Sequence, residues 1–336
     1  MADSATVRDV AERAGVSLST VSNVLNRPDR VAPKTLTRVR TAIRELGYIR
    51  NDAARTLRLG ESKAVGIVIS ETTSPFYADV IRAADAVLAA RGYSSLVGSA
   101  YHDAAASDRL IRLFEEQRVR GLLVNPFTDS PLVEALLQRG VPLIHVDAEA
   151  AVPGHCSVTT DHVAGGRMAI EHLAATGRRR VALVRGPVDV SQIVLRMRGA
   201  REACDELGIE YEEVIGSTYF VRGGMHAGGV IASRTLATRP DAVFAANDIM
   251  AMGVVSALAE RGVRVPEDIA VVGYDDTDVA VAARVPLTTL RQPASEVGGH
   301  AASLLLEEIE QPSVHQHEAT LLRPELIIRA STLAGM

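Results

Sequence analysis

The 336-residue chain has no tryptophan, only two cysteines, and aromatic residues at 4%. Cys156 and Cys204 are too few and too far apart in sequence for a disulfide framework or a paired-cysteine zinc site, and both read as reduced, half-buried thiols. No stretch reaches the roughly 18 unbroken apolar residues of a membrane span, so neither a transmembrane protein nor a membrane partner is expected. Residues 1–13 carry acids early and lack the apolar core of a secretory leader, so the expected location is the cytoplasm. Catalytic motifs are missing too. No GxGxxG follows a strand, since Gly223-Gly224 and Gly228-Gly229 do not fit it, and GxxxxGK[ST], HExxH and GxSxG do not occur. Asp275-Asp276 with Asp278 lacks the spacing and glycine of a calcium loop, and His315-Gln316-His317 reads as a polar loop. The expectation is a non-enzyme without metal or cofactor.

What is present is the mix of a globular protein, 47% hydrophobic and 23% charged, long enough for two or three domains of about 150 residues. Arginine dominates the cations, because Lys34 and Lys63 are the only lysines. The net charge of −5 hides an asymmetry: residues 1–60 hold 11 basic against 6 acidic side chains, and the remainder is acidic. A basic end on an acidic body is what is expected when one end meets phosphates.

Within that end, Thr6 with Asp9 reads as a helix N-cap with an acid at the third position. Val7, Val10, Ala11 and Ala14 recur at helical spacing and Gly15 stops them; Ser17 caps a second stripe, Val21, Val24 and Leu25. Two short helices joined by Gly15-Val16-Ser17 have helix-turn-helix spacing. Pro33 opens a third helix, striped by Leu36, Val39, Ile43 and Leu46 and ended by Gly47. The second helix leaves Leu18, Ser19, Thr20, Ser22 and Asn23 off the apolar stripe, free to face a major groove. Hydroxyls suit phosphates, asparagine suits an adenine edge, and leucine suits a thymine methyl.

The body alternates short apolar runs with amphipathic stretches. Candidate strands are 64–70, 94–99, 121–125, 142–147, 181–184, 242–246 and 269–274; candidate helices are 76–91, 104–117, 161–176 and 248–261. Such alternation predicts parallel, doubly wound sheets in two lobes, with ligands at the C-terminal strand ends. Ser70, Asn125, Asp147, Asn247-Asp248 and Asp275-Asp276 follow apolar runs directly. Together they predict a polar cleft, in which Asp248 reads as a helix cap.

The run Val7-Arg8-Asp9-Val10-Ala11-Glu12-Arg13-Ala14-Gly15-Val16-Ser17, with Thr20-Val21-Ser22, Val24-Leu25-Asn26, Gly47-Tyr48 and Asn51, closely resembles the headpiece of the LacI/GalR (lactose-repressor) family of bacterial transcription regulators. The resemblance continues through Asp161 with Gly165, Arg196–Gly199, Ala246–Gly253, Val265–Ile269, Val272–Asp276 and Pro286–Leu290. It implies an all-α helix-turn-helix headpiece at 1–50, a hinge helix at 51–60, and a body at 61–336 with the type I periplasmic-binding-protein fold. Lobe boundaries are expected at about 61–160 with 292–318, and 161–291 with 319–330.

By position, the resemblance assigns base reading to Leu18, Ser19 and Asn23, and phosphate contacts to Thr6, Ser17, Thr20, Ser22, Asn26, Thr35, Tyr48 and Asn51. In the hinge it points to Ala54, Arg55 and Leu57, with Leu57 as the minor-groove wedge. Two departures stand out: Asn23 where the family often has arginine, which puts the half-site in question, and Arg50 where it often has proline. Effector anchors implied are Asp147, Arg196, Asn247 and Asp275, with Ser70 and Asn125 as helpers and Phe76, Tyr77 and Tyr219 or Phe220 as aromatic walls. The implied partners are a near-palindromic double-stranded operator, a second copy of the chain, and a small molecule, with a sugar ahead of a nucleobase because the acids disfavour phosphates. Without a heptad tail after Arg329 a dimer is expected. The alternatives are a sugar receptor without a transcriptional role and a purine-responsive regulator of the same family.

Overall fold

The computed structural model describes residues 5–48, 62–125, 130–149 and 155–333, which fall into two units, 1–62 and 63–336. The hinge positions Asn51, Ala54, Arg55 and Leu57 lie outside the described residues.

In the first unit, helix α1 (Val7–Ala14) starts at a capping box: Asp9 N–H donates to Thr6 Oγ1 at 3.3 Å, and Thr6 N–H returns a bond to Asp9 Oδ2 at 2.7 Å. Gly15 ends it at φ 60°, a left-handed conformation that costs glycine little. Ser17 caps α2 (Leu18–Asn26), and Pro33 occupies the first turn of α3 (Pro33–Glu45). The three helices share a core of Val10, Ala11, Ala14, Val21, Val24, Val39 and Ala42. Every fully buried member is small, so this domain buries little apolar surface and is marginal by itself.

The second unit contains two six-stranded sheets. The first sheet runs β11 (Ala319–Leu322), β5 (Ser157–Thr160), β4 (Leu143–Val146), β3 (Leu122–Val124), β1 (Ala64–Ile69), β2 (Ser94–Ser99), all parallel. The second runs β12 (Glu325–Ile327), β10 (Thr288–Arg291), β9 (Ala270–Asp275), β8 (Ala242–Ala245), β6 (Arg180–Arg185), β7 (Glu210–Ile215), parallel except for the antiparallel β12. Flanking helices are α4 (Pro75–Ala90), α5 (Ala104–Glu116), α6 (Pro131–Gln138), α7 (His162–Ala175), α8 (Ser191–Leu207), α9 (Val221–Ala232), α10 (Asp248–Glu260), α11 (Asp278–Ala282) and α12 (Ala294–Glu310). Central strands such as Val181–Val184 are apolar throughout and buried on both faces, as helix-covered parallel sheets require.

The chain leaves the first lobe after β5, returns after β10 to form α12 and β11, and leaves again between β11 and β12. The expected boundary at 318/319 is therefore corrected. Residues 319–322 pair with β5 in the first lobe, Ala319 opposite Ser157, and the last crossing lies at 323–324. The short run Ala-Thr-Leu-Leu looks the same for either sheet; its partner decides. Both cysteines are fully buried, where the sequence suggested half-burial.

Candidate functional site

The C-terminal strand ends of both lobes face a cleft of about 560 Å3, counting its open mouth. Phe76, Tyr77, Asp147, Arg196, Tyr219, Phe220, Asn247 and Asp275, all expected from sequence, line it. Ser70 and Asn125 do not. They are buried behind the wall, where Ser70 Oγ bonds Asn125 Oδ1 and Asn125 Nδ2 donates to the Val146 carbonyl at 2.8 Å. Their part is to hold Tyr77, whose hydroxyl lies 3.2 Å from Asn125 Oδ1. The cleft also takes in Glu71, Ser74, His102, Gln192 and Ile193, which sequence reasoning missed.

The polar groups form one chain across the lobes. From the first lobe, Tyr77 donates its hydroxyl proton to Asp147 Oδ2 at 3.0 Å, and from the second, Gln192 Nε2 donates to the same hydroxyl oxygen at 3.4 Å. Burial, then the Asp147 charge, push the Tyr77 phenol well above its usual range. His162, the first residue of α7, meets Asp147 Oδ1 through Nε2 at 3.0 Å. Arg196 Nε, which can only donate, lies 3.3 Å from His162 Nδ1. His162 is therefore the neutral tautomer with its proton on Nε2, and its burial holds its pKa low. No local pattern marks His162; its role comes from the lobe crossing.

Arg196 is held on all sides. It donates Nη1 to the Ala246 carbonyl at 2.8 Å, lies 3.6 Å from Asp275 Oδ1, and stacks on the Tyr274 ring at 3.7 Å. Gln292 Nε2 donates to Asp275 Oδ1 at 2.7 Å. Burial, against the pull of Arg196, pushes Asp275 up to about 6. Asp147 and Asp275 both sit at positive φ, 53° and 108°, as does His102 at 58°. Such left-handed backbone costs non-glycine residues free energy and gathers at ligand sites.

Asn247, not Asp248, caps α10: Oδ1 accepts from Met250 N–H at 2.8 Å, and Nδ2 donates to the Tyr219 carbonyl at 3.2 Å. Asp248 is the first helical residue. Its buried carboxylate accepts from Thr289 Oγ1 at 2.6 Å and Thr277 N–H at 2.9 Å, and burial followed by repulsion from Asp275 raises it to about 8. The Phe76 and Tyr77 rings meet edge to face at 5.1 Å, Tyr219 is buried on the opposite wall, and Phe220 is the more exposed of that pair.

In the first unit Leu18, Ser19 and Asn23 are exposed along one side of α2. Ser17 Oγ bonds Ser19 Oγ and Thr20 Oγ1, each at 2.8 Å, which groups three hydroxyls at the N-terminus of α2. At its other end Asn26 Nδ2 donates to the Ser22 carbonyl at 2.9 Å. Thr6 is exposed, while Thr35 and Tyr48 are partly buried, Tyr48 against the small core.

Residues 6–51 match the bacterial regulatory proteins of the lacI family, and residues 170–332 match a periplasmic binding protein-like domain. The chain is 37% identical to the HTH-type transcriptional regulator CelR of Thermobifida fusca, covering 97% of this chain and 98% of that one. It is 36% identical to the ribose operon repressor of Escherichia coli K12, over 97% and 99%. Among solved structures, the lac repressor dimer bound to operator and the anti-inducer ONPF superposes with a TM-score of 0.83 at 30% identity, covering 99% of this chain and 100% of that one. A transcriptional regulator CelR–cellobiose complex superposes with a TM-score of 0.71 at 34% identity, over 97% and 99%.

Proposed function

The chain belongs to the lacI family of bacterial regulatory proteins, and from that premise we propose that it is a dimeric transcriptional repressor whose grip on a near-palindromic operator is governed by a sugar in the interlobe cleft. One observation carries this reading: a helix presenting Leu18, Ser19 and Asn23 to solvent shares its chain with a cleft whose polar groups come from both lobes. Leu18, Ser19 and Asn23 read bases. Thr6, Ser17, Thr20, Ser22, Asn26, Thr35, Tyr48 and Asn51 contact phosphates, and Leu57, flanked by Ala54 and Arg55, wedges the minor groove.

The cleft suits a neutral polyol. Its aromatic walls cover the faces of a ring, while Asp147 and Asp275 accept from hydroxyls and would repel a phosphate. Phe76, Tyr77, Asp147, Arg196, Tyr219, Phe220, Asn247 and Asp275 serve as contacts, with Ser70 and Asn125 as supports. The names of relatives favour the same class, since one is a ribose operon repressor and another is solved with cellobiose. The ligand is held and released unchanged, so the protein acts without catalysis, in the cytoplasm and on the nucleoid.

Control follows from the shared network. Gln192 to Tyr77 and His162 to Asp147 are bonds between lobes, so a ligand that replaces or reinforces them shifts the balance between lobe arrangements. Operator and sugar are then reciprocally coupled. Dimerisation is supported by the outer edges of both sheets: β2 exposes Leu96 and Val97, and β7 exposes Tyr211 and Ile215.

The test is fluorescence anisotropy with fragments upstream of the gene itself and of neighbouring sugar-use genes, with and without a panel of sugars and nucleosides. Specific binding that one sugar abolishes or creates is the expected result. Binding indifferent to every fragment and every metabolite would overturn the proposal.

A further inference from the structure

Far in sequence from one another, Cys156 and the loop histidines His315 and His317 come together beside the edge of the first sheet. The reason is register. Cys156 directly precedes β5, the histidines directly precede β11, and the two strands pair in parallel with Ser157 opposite Ala319. Cys156 Sγ lies 3.2 Å from His315 Nε2 and 3.6 Å from His317 Nδ1, and the three atoms lie within 4.8 Å of one another. In a tetrahedral zinc site, bond lengths of about 2.3 Å to sulfur and 2.0–2.1 Å to nitrogen put those ligand atoms about 3.5 Å apart.

The surroundings fit an ion as well. His315 faces the sulfur with Nε2, and its Nδ1 lies 3.9 Å from Glu307 Oε2, beyond hydrogen-bond reach. The backbone N–H of Glu318 donates to Cys156 Sγ at 3.4 Å, a bond that stabilises a thiolate. The His317 ring meets His315 edge-on at 5.0 Å. Cys156 is buried while His317 is exposed, which gives an ion a way in.

We propose that Cys156, His315 and His317 form a site for a divalent transition metal of the zinc class, independent of the interlobe cleft. The donor set, one thiolate and two imidazoles, selects zinc or cobalt over magnesium or calcium. A bound ion would tie the loop after α12 to the start of β5. It would thereby clamp β11 on β5, the strand pair whose far ends, Thr160 and Leu322, lead into two of the lobe crossings. The sequence reading of His315-Gln316-His317 as plain loop holds for the backbone but misses this convergence.

The test uses the full chain, stripped with chelator and titrated with zinc alone and with cobalt alone. Expected are one zinc per chain by calorimetry and elemental analysis, a sulfur-to-cobalt charge-transfer band, and a melting temperature raised by zinc. Cys156→Ser should abolish the band. His317→Ala, at an exposed position where folding is not at risk, should weaken zinc by more than the roughly 10–100-fold typical of an outer-shell loss. Cys204→Ala, on the other buried thiol, should leave the band and the zinc affinity unchanged. Absence of the band, or equal zinc affinity in the wild type and His317→Ala, would overturn the proposal and mark any uptake as adventitious.

Discussion

His162 Nε2 donates to Asp147 Oδ1 at 3.0 Å because Arg196 Nε occupies its other nitrogen at 3.3 Å. The bond joins the end of a first-lobe strand to the first residue of the helix beyond the crossing, so the cleft residue Asp147, our proposed effector contact, and the lobe connection share one hydrogen bond. His162→Ala removes the donor and leaves Asp147 and Arg196 buried with less to bind. A hydrogen bond to a charged group contributes roughly 1.5–3 kcal/mol, so sugar affinity should fall about 10–100-fold by calorimetry. His162→Gln, which can donate to Asp147 and accept from Arg196, should recover much of that. Equal loss in both variants would show that the ring's packing, not its proton, matters.

The position of Arg196 itself depends on two glycines. A Cβ at Gly166 of α7 would stand 1.9 Å from the Arg196 carbonyl of α8, and one at Gly199 would stand 2.0 Å from the Val163 carbonyl. Backbone atoms cannot yield as flexible side chains do, so the two helices would have to separate. Gly166→Ala should therefore lower stability by about 1–3 kcal/mol in denaturant titrations and weaken sugar binding, because Arg196 moves with its helix. Unchanged stability would mean that the helix pair has slack that its close contact does not reveal.

The sequence showed the fold wherever burial was matched by apolar composition. Val181–Val184 and Leu122–Val124 read as strands because both faces are covered. Strand β5, Ser-Val-Thr-Thr, was missed although it is wholly buried, since its hydroxyl residues look like loop. Strand β7, Glu-Tyr-Glu-Glu-Val-Ile, was missed for the opposite reason: as an edge strand it exposes most of its side chains. The strand-end rule located Asp147, Asn247 and Asp275 in the cleft, because those residues follow visible strands. Gln192 and His162 are delivered by helices packed in three dimensions, and no spacing announces them. Asn247 lines the cleft as expected and also caps the helix in place of Asp248, because a neighbouring asparagine and aspartate can each cap a helix and only the geometry decides which does.

Asp248 makes stability depend on pH in an unusual direction. Burial, then Asp275, raise it to about 8, and Asp275 itself is raised to about 6. An unfolded aspartate titrates near 3.9, so over pH 4–8 the native state binds more protons than the unfolded state. Stability from this pair is fully present below about pH 4 and is lost as pH rises through the folded values, by at most about 1.4 kcal/mol per pH unit for each group. Asp248→Asn should flatten that decline: between pH 5 and 8.5, denaturation curves of the variant should lose less stability than those of the wild type. Parallel losses would show that the carboxylate is solvated and ionised throughout.

Operator binding separates into two kinds of contact, and substitution should separate them. Asn23 is exposed on α2. An asparagine that pairs with an adenine edge contributes about 1–3 kcal/mol of discrimination at one base pair, so Asn23→Ala should relax preference at one symmetric position in each half-site. Its salt dependence should stay close to that of the wild type, because no phosphate contact is lost. Ser17→Ala acts differently: it removes the α2 N-cap and the phosphate contact we propose for Ser17, so it should weaken all sequences alike. Leu57→Ala, at the position we propose as the minor-groove wedge, should reduce specific affinity far more than non-specific affinity, since on that reading only the specific complex is kinked. Anisotropy on matched operator and scrambled duplexes at several salt concentrations reads all three. With about five to ten phosphate contacts per dimer, wild-type affinity should fall steeply with salt. A uniform loss for Asn23→Ala on every sequence would remove α2 from base reading, and equal losses for Leu57→Ala on both duplexes would remove the wedge.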